Sequence, residues 1–270
     1  MIEQLRPGVS AKNARVVLFD FDGTISLIRA GWMDVMVPMM VEILLDLKSG
    51  ETEEDLRAIV EEFVGRLTGK QTMYQMVELA ENVRARGGNP PDPLVYKNMY
   101  LDLLHEKIRH RLEELSSGNA SPEKYLVPGA RQLLEALKER GLKMYLASGT
   151  DHVYMSREAS LLDVDRYFDG GVFGALDDYK SFSKKILIQQ VIAKSECQGD
   201  QFLGFGDGYV EIENVKEVGG VAVGVATAEP ECLHVDQWKR TRLAGVGADF
   251  IIPNFLCHRE LLGTLFPNGH

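Results

Sequence analysis

This 270-residue sequence has few cysteines and no long apolar run, and both shortages limit the class of protein it can encode. Its three cysteines, Cys197, Cys232 and Cys257, show neither a CxxC pair nor the spacing of zinc ligands. An odd number of cysteines is also a poor disulfide framework, so thiols in a reducing compartment are expected. Since no run of about 18 apolar residues is present, the sequence predicts no membrane-spanning helix.

The chain also lacks an excess of positive charge. It has 30 Lys and Arg residues against 40 Asp and Glu residues, which gives a formal net charge of −10. Because a nucleic-acid-binding surface must neutralise phosphates, nucleic acid is not expected as the main partner. The opening residues MIEQLRPGVSAKNAR have no apolar core of the kind that secretory signals carry, so a cytoplasmic location is expected.

The hydrophobic pattern of the chain predicts an α/β fold. Short apolar runs with the composition of buried parallel strands occur at 15–20, 141–148, 201–207, 220–226 and 248–255. Helical patterns precede several of them, as ARQLLEALKER precedes the second run. This alternation predicts a Rossmann-like, doubly wound parallel sheet with helices on both faces.

Residues 27–125 have a different pattern, typical of helices alone. Four segments carry apolar residues at helical spacing, and glycine-rich or proline-rich breaks such as GGNPPDP separate them. We therefore predict an α/β core domain of residues 1–26 and 126–270, with an all-helical domain of residues 27–125 inserted after the first strand.

The segment between the last two predicted strands, residues 231–249, is longer than a minimal crossover. Its pattern predicts one additional helix with Trp238 buried. The residues of this segment suggest no function.

Three predicted strands end in a polar or acidic residue, namely Asp20, Ser148 and Asp207. Ligands of open parallel sheets bind outside the carboxyl ends of the strands, so these residues are expected to converge on one crevice. Carboxylates in one place repel each other unless a cation lies among them. Mg²⁺ prefers few carboxylates together with waters and phosphate oxygens, so the sequence predicts a Mg²⁺ site there.

The stretch DFDGT places a second aspartate, Asp22, two residues after Asp20. Gly23 permits a sharp turn that would aim Asp22 at the same space, and the Thr24 hydroxyl could fix Asp22 or a nearby amide. A carboxylate nucleophile beside an acid–base carboxylate divides a phosphoryl transfer into two easier steps. The alternative interpretation is a simple Asp-Gly turn between two strands.

The stretch LFDFDGTIS resembles the first signature of the haloacid dehalogenase (HAD) superfamily. This resemblance implies that Asp20 is the nucleophile that becomes an aspartyl phosphate and that Asp22 is the general acid and base. MYLASGT resembles the second signature, which implies that Ser148 binds a phosphoryl oxygen. We assign Gly149 and Thr24 to the same phosphate-binding group.

GDGYVEIEN resembles the fourth signature of that superfamily. The resemblance implies that Asp207 binds Mg²⁺ together with Asp20 and Asp22. It also implies that Glu211 is an outer-sphere acid, which contacts the metal ligands and not the metal itself. The third signature is a lysine before a helix, for which Lys180 and Lys184 compete. Apolar residues follow Lys184 at +3, +4, +7 and +8, as at the start of an amphipathic helix, so we predict Lys184.

The four signatures, in order, imply a Mg²⁺-dependent phosphomonoester hydrolase that acts on a small phosphorylated metabolite. The helical insertion lies where the superfamily carries caps of the first type, so it is expected to close over the site. Arg29, Trp32 and Lys70 are candidate substrate contacts in or near this insertion. Two alternatives stay open: a phosphosugar mutase of the same superfamily, and a non-catalytic binding module on the HAD scaffold.

Overall fold

A computed structural model describes residues 2–176, 183–195 and 197–267 of the protein. Within these residues the chain forms seven strands: β1 (Glu3–Gln4), β2 (Val16–Phe19), β3 (Lys143–Asp151), β4 (Gly171–Ala175), β5 (Phe202–Gly206), β6 (Val221–Val225) and β7 (Phe250–Ile252). The α-helices of the same residues are α1 (Met33–Leu45), α2 (Glu53–Leu67), α3 (Thr72–Ala85), α4 (Pro93–Ser116), α5 (Ala130–Glu139), α6 (His152–Leu161), α7 (Lys184–Ser195), α8 (Tyr209–Glu217), α9 (Gln237–Gly245) and α10 (His258–Leu265).

The strands form one sheet in the order β1-β7-β6-β5-β2-β3-β4, so the predicted α/β fold is confirmed. Strands β2 to β7 are parallel, whereas β1 pairs with β7 in the antiparallel direction at the edge. The sequence pattern predicts neither β1 nor β4. The first is a pair of polar residues and the second contains two glycines, so neither carries the apolar signal of a strand.

Strand β2 is buried on both faces, which explains its uninterrupted apolar sequence. Alternate residues of a strand point to opposite faces of the sheet. Val16 and Leu18 belong to a core cluster with residues of α7, α8 and α9. On the other face Val17 and Phe19 are also buried, and the Phe19 ring stacks on Phe205 with centroids 4.7 Å apart. Burial on both faces is typical of a parallel sheet covered by helices.

The chain divides into two compact units, which we describe separately. One unit, Met1–Ala30 with Leu112–His270, contains the sheet and its helices. The other, Gly31–Arg111, is helical, and Met36, Met40 and Phe63 are among its buried apolar residues. The sequence predicts a longer helical domain, residues 27–125, and those domain limits stay a prediction. Among the described helices, none combines the length and apolar character that crossing a bilayer requires.

The additional helix predicted within residues 231–249 is present as α9, but the predicted burial of Trp238 is wrong. Its side chain is 47% exposed and packs on the guanidinium of Arg242, 4.4 Å from the ring centroid. Leu243 is the helix residue that enters the core. Asp236 caps the helix, because its carboxylate accepts a hydrogen bond from the backbone N–H of Lys239 at 2.9 Å.

Candidate active site

The ends of β2, β3 and β5 bring three of the predicted site residues to one edge of the sheet. Strand β2 lies between β3 and β5, with Phe19 opposite Leu146 and Phe205. The residues that follow these positions, Asp20, Ser148 and Asp207, therefore lie at the same carboxyl edge. The backbone N–H of Asp20 donates to the Phe205 carbonyl at 2.9 Å, and the Asp20 side chain is only 5% exposed.

Two hydroxyl groups hold the carboxylate of Asp22. Ser148 Oγ and Thr150 Oγ1 each donate a hydrogen bond to Asp22 Oδ2 at 2.9 Å. Both hydroxyls reach the same oxygen because residues two apart on a strand point to the same side. The pairing of β3 with β4 is irregular between Ala147 and Asp151, which is a common feature of strands beside active sites.

Thr150 is absent from the sequence prediction, although a signal for it was available. It follows Ser148 at the spacing of two that places strand residues on one face. Gly149, which we predict to bind phosphate, lies between them and is half-buried.

The loop after β2 packs directly against Asp207. Thr24 is fully buried, and its hydroxyl accepts a hydrogen bond from the backbone N–H of Asp207 at 2.9 Å. Gly23 has a positive φ of 72°, and a Cβ at that position would lie 2.3 Å from Asp207 Oδ2. The close approach of the loop to this carboxylate therefore depends on glycine.

We expect Gly23→Ala to destabilise the protein more than Gly50→Ala does. Both glycines have positive φ, but in the described residues no heavy atom lies within 4 Å of a Cβ at Gly50. The Gly50 variant should lose about 1–2 kcal/mol from backbone strain alone. The Gly23 variant should lose more, because Asp207 must also move. Chemical denaturation of the two variants checks this, and equal losses would contradict the packing described for Gly23.

Arg29 and Glu158 form a buried ion pair beside Asp22. Arg29 Nε donates to both Glu158 carboxylate oxygens at 3.0 and 3.1 Å, and Nη2 donates to Oε1 at 2.7 Å. Arg29 Nε also lies 3.9 Å from Asp22 Oδ1. Burial raises the pKa of Glu158, and the positive charge of Arg29 opposes that rise. We predict Arg29 as a substrate contact from the sequence, and that role stays a prediction.

A lysine and a glutamate, Lys239 and Glu229, lie beside Asp207. Lys239 Nζ lies 2.9 Å from Asp207 Oδ2 and 2.8 Å from Glu229 Oε1. Burial lowers the pKa of Lys239, but the charges of Asp207 and Glu229 outweigh this effect and raise the pKa above its ordinary value. Burial raises the pKa of Glu229. Sequence reasoning missed both residues, since neither belongs to a motif that we identified.

The remaining predicted residues of the α/β unit lie near the strand ends or outside the described residues. Glu211 is buried on the first turn of α8, where a Cβ at Gly206 would lie 2.8 Å from Glu211 Cβ. Lys184 is the first residue of α7, but its side chain lies outside the described part of the chain. Lys180 lies outside the described residues altogether.

Trp32 and Lys70, the other predicted substrate contacts, belong to the helical unit. Trp32 occupies the N-cap position of α1 and is half-buried. Lys70 is exposed, with Nζ 5.8 Å from the centroid of the Tyr74 ring. Their roles stay predictions.

The carboxylates at the strand ends have the chemistry of a Mg²⁺ site that relies on water and substrate. Among the described residues, no group of three or more His, Cys, Asp or Glu side chains could hold a metal ion by itself. Mg²⁺ is usually held by one or two carboxylates together with waters and phosphate oxygens. Asp20 follows β2, and Asp207 packs against the loop that follows the same strand. Their two carboxylates supply the small number of oxygen ligands that Mg²⁺ takes from a protein.

Comparison with known proteins identifies the class of this protein. A sequence model of the family "haloacid dehalogenase-like hydrolase" matches residues 14–219. The chain therefore belongs to this family and is a hydrolase, as its resemblance to the HAD signatures predicts. No curated protein matches the chain.

Several solved structures share the fold at low sequence identity. A phosphonoacetaldehyde hydrolase-like protein from Oleispira antarctica is 14% identical, with a TM-score of 0.60 and coverage of 99% of both chains. A protein from Haemophilus somnus described as a predicted phosphoglycolate phosphatase is 14% identical, with a TM-score of 0.56 and coverage of 92% of this chain and 98% of the other. A predicted phosphatase from Clostridium acetobutylicum is 17% identical, with a TM-score of 0.57 and coverage of 92% and 98%. At these identities the likeness establishes the fold alone.

Proposed function

We propose that the protein is a Mg²⁺-dependent phosphomonoester hydrolase acting on a small phosphorylated metabolite. The observation that carries the proposal is the pair of aspartates after β2. Asp20 is buried at the strand end, and Asp22 is held two residues later by the hydroxyls of Ser148 and Thr150. One carboxylate can thus act as nucleophile while the other moves protons.

In the first step, a carboxylate oxygen of Asp20 attacks phosphorus and the ester P–O bond breaks. Asp22, in its protonated form, gives its proton to the leaving oxygen, which departs as an alcohol. In the second step, Asp22 takes a proton from water. The resulting hydroxide attacks phosphorus, releases inorganic phosphate and restores the Asp20 carboxylate.

The surrounding residues would stabilise the negative charge of the phosphoryl group during this reaction. Bound Mg²⁺ would neutralise phosphate charge, and the carboxylates of Asp20 and Asp207 are the groups proposed to hold it together with water and substrate oxygens. Asp22, predicted from the sequence as a third ligand, is assigned here to proton transfer. Ser148 and Gly149 would contact phosphoryl oxygens, and Lys184 would add positive charge. Thr24, which is fully buried against the backbone of Asp207, would hold this loop in place. Glu211 would be an outer-sphere acid of the Mg²⁺ site. Phosphoryl transfer depends mostly on such positioning and charge neutralisation.

The proposal predicts phosphate release from at least one compound in a panel of phosphorylated sugars, nucleotides and organic acids. With a good substrate and Mg²⁺, we expect a kcat between about 1 and 10³ s⁻¹. EDTA should reduce release to the background rate, and added Mg²⁺ should restore it. A sugar bisphosphate formed without phosphate release would identify a mutase instead. Binding of a phosphate ester without turnover would identify a binding module.

A further inference from the structure

Lys239 brings a positive charge into the carboxylate cluster from an element that carries none of the HAD signatures. Its ammonium lies between Asp207 Oδ2 and Glu229 Oε1, within 2.9 Å of each. The side chains of all three residues are largely buried, with exposures of 13–20%. The Asp236 cap fixes the start of α9 and so places Lys239 on its first turn.

The charges in contact with Lys239 are Asp207, which follows β5, and Glu229, which follows β6. The charge of Asp22, after β2, acts on Glu229, while Arg29 lies 3.9 Å from Asp22 and pairs with Glu158. The positive charge of Arg29 is shared between Glu158 and Asp22. Lys239 is thus the cation in direct contact with Asp207 among the described residues.

We propose that Lys239 is a positioning residue that holds Asp207 and Glu229 together and limits how strongly Asp207 attracts a divalent cation. This inference rests on the proposed function, in which Asp207 binds Mg²⁺. A positive charge 2.9 Å from one oxygen of a carboxylate repels a dication that approaches the same group. It also offsets the repulsion between Asp207 and Glu229 when no dication is bound.

The geometry predicts that replacing Lys239 and replacing Glu229 change the affinity for a divalent cation in opposite directions. Lys239→Met removes the positive charge and leaves Asp207 and Glu229 facing each other, so a divalent cation should bind more tightly. Glu229→Gln removes the competing carboxylate, so Lys239 should pair more strongly with Asp207 and a divalent cation should bind less tightly. A role that is only structural would weaken binding in both variants.

The test is titration of the substrate-free protein with Mn²⁺, with unbound Mn²⁺ measured by electron paramagnetic resonance. We expect Lys239→Met to lower the Kd for Mn²⁺ by at least about tenfold and Glu229→Gln to raise it by at least about threefold. Lys239→Arg keeps the charge and should bind like the wild type. Lys124→Met, which removes an exposed lysine paired with Glu114, is the matched control and should also leave the Kd unchanged.

Unchanged or weaker Mn²⁺ binding by Lys239→Met would overturn the inference. If that variant does not fold, Lys239→Gln, which keeps a polar side chain beside both carboxylates without the positive charge, takes its place: tighter binding supports the inference, and equal or weaker binding overturns it. The outcomes also separate this inference from the proposed function. The predicted pattern of Kd values without any phosphatase activity would uphold the inference and overturn the phosphatase. Phosphatase activity without the pattern would overturn the inference alone.

Discussion

Asp20→Asn is expected to abolish phosphate release, lowering kcat by about 10⁶-fold, the loss that follows removal of the nucleophile in another hydrolase with covalent catalysis. An amide is a far weaker nucleophile than a carboxylate and cannot form the acyl phosphate. The change replaces one oxygen by a nitrogen of similar size, so the buried site should keep its packing. Steady-state phosphate release with a substrate found in the panel measures the effect.

Asp102→Asn is the matched control, because Asp102 lies on the exposed side of α4 in the helical unit. This variant should keep wild-type kcat and KM. A second measurement separates loss of chemistry from loss of fold. Brief incubation with a ³²P-labelled ester should label the wild type and the control but not Asp20→Asn, while all three unfold cooperatively. Turnover by Asp20→Asn close to the wild-type rate would refute Asp20 as the nucleophile.

Arg29→Met is expected to lower the free energy of unfolding by about 3–5 kcal/mol, because it leaves the buried carboxylate of Glu158 without its partner. Arg29 and Glu158 are 6% and 2% exposed, so water cannot replace the missing charge without a rearrangement. The second replacement, Glu158→Leu in the same chain, should recover part of the loss, since no uncompensated charge then remains. Chemical denaturation at neutral pH measures all three proteins.

Arg57→Met provides the comparison for the loss of an exposed ion pair. Arg57 and Glu53 lie one helical turn apart on α2, with side chains 39% and 63% exposed. Such a pair contributes about 0.3–0.5 kcal/mol, so this variant should unfold almost like the wild type. If Arg29→Met costs no more than Arg57→Met, the buried pair does not stabilise the protein, and a role of Arg29 at the substrate becomes the better explanation.

The main strands could be predicted from the sequence because burial on both faces demands an unbroken apolar run. VVLF in β2 and VAVGV in β6 have no alternation of polar residues, and the structure buries every one of their residues. Strands β1 and β4 carry no such pattern. They form because a neighbouring strand offers hydrogen bonds, and that neighbour is distant in the sequence.

The core of the site was predictable for a related reason. Asp20, Ser148 and Asp207 each end an apolar run, and parallel strands place their carboxyl ends at one edge of the sheet. Thr150 could have been added by the same period-of-two argument that applies to any strand.

The sequence by itself determined the α/β class, the places of five of the strands along the chain and the residues Asp20, Ser148 and Asp207 at the strand ends, because these follow from local hydrophobic patterns. Only the tertiary structure decided which charges are buried and how they are paired. Arg29 pairs with Glu158, which is 129 residues away in the sequence. Lys239 belongs to a helix without a recognisable motif, and its side chain lies between Asp207 and Glu229. In the sequence, Glu158, Glu229 and Lys239 look like ordinary surface charges, since partners that compensate a buried charge are set by the packing of distant elements.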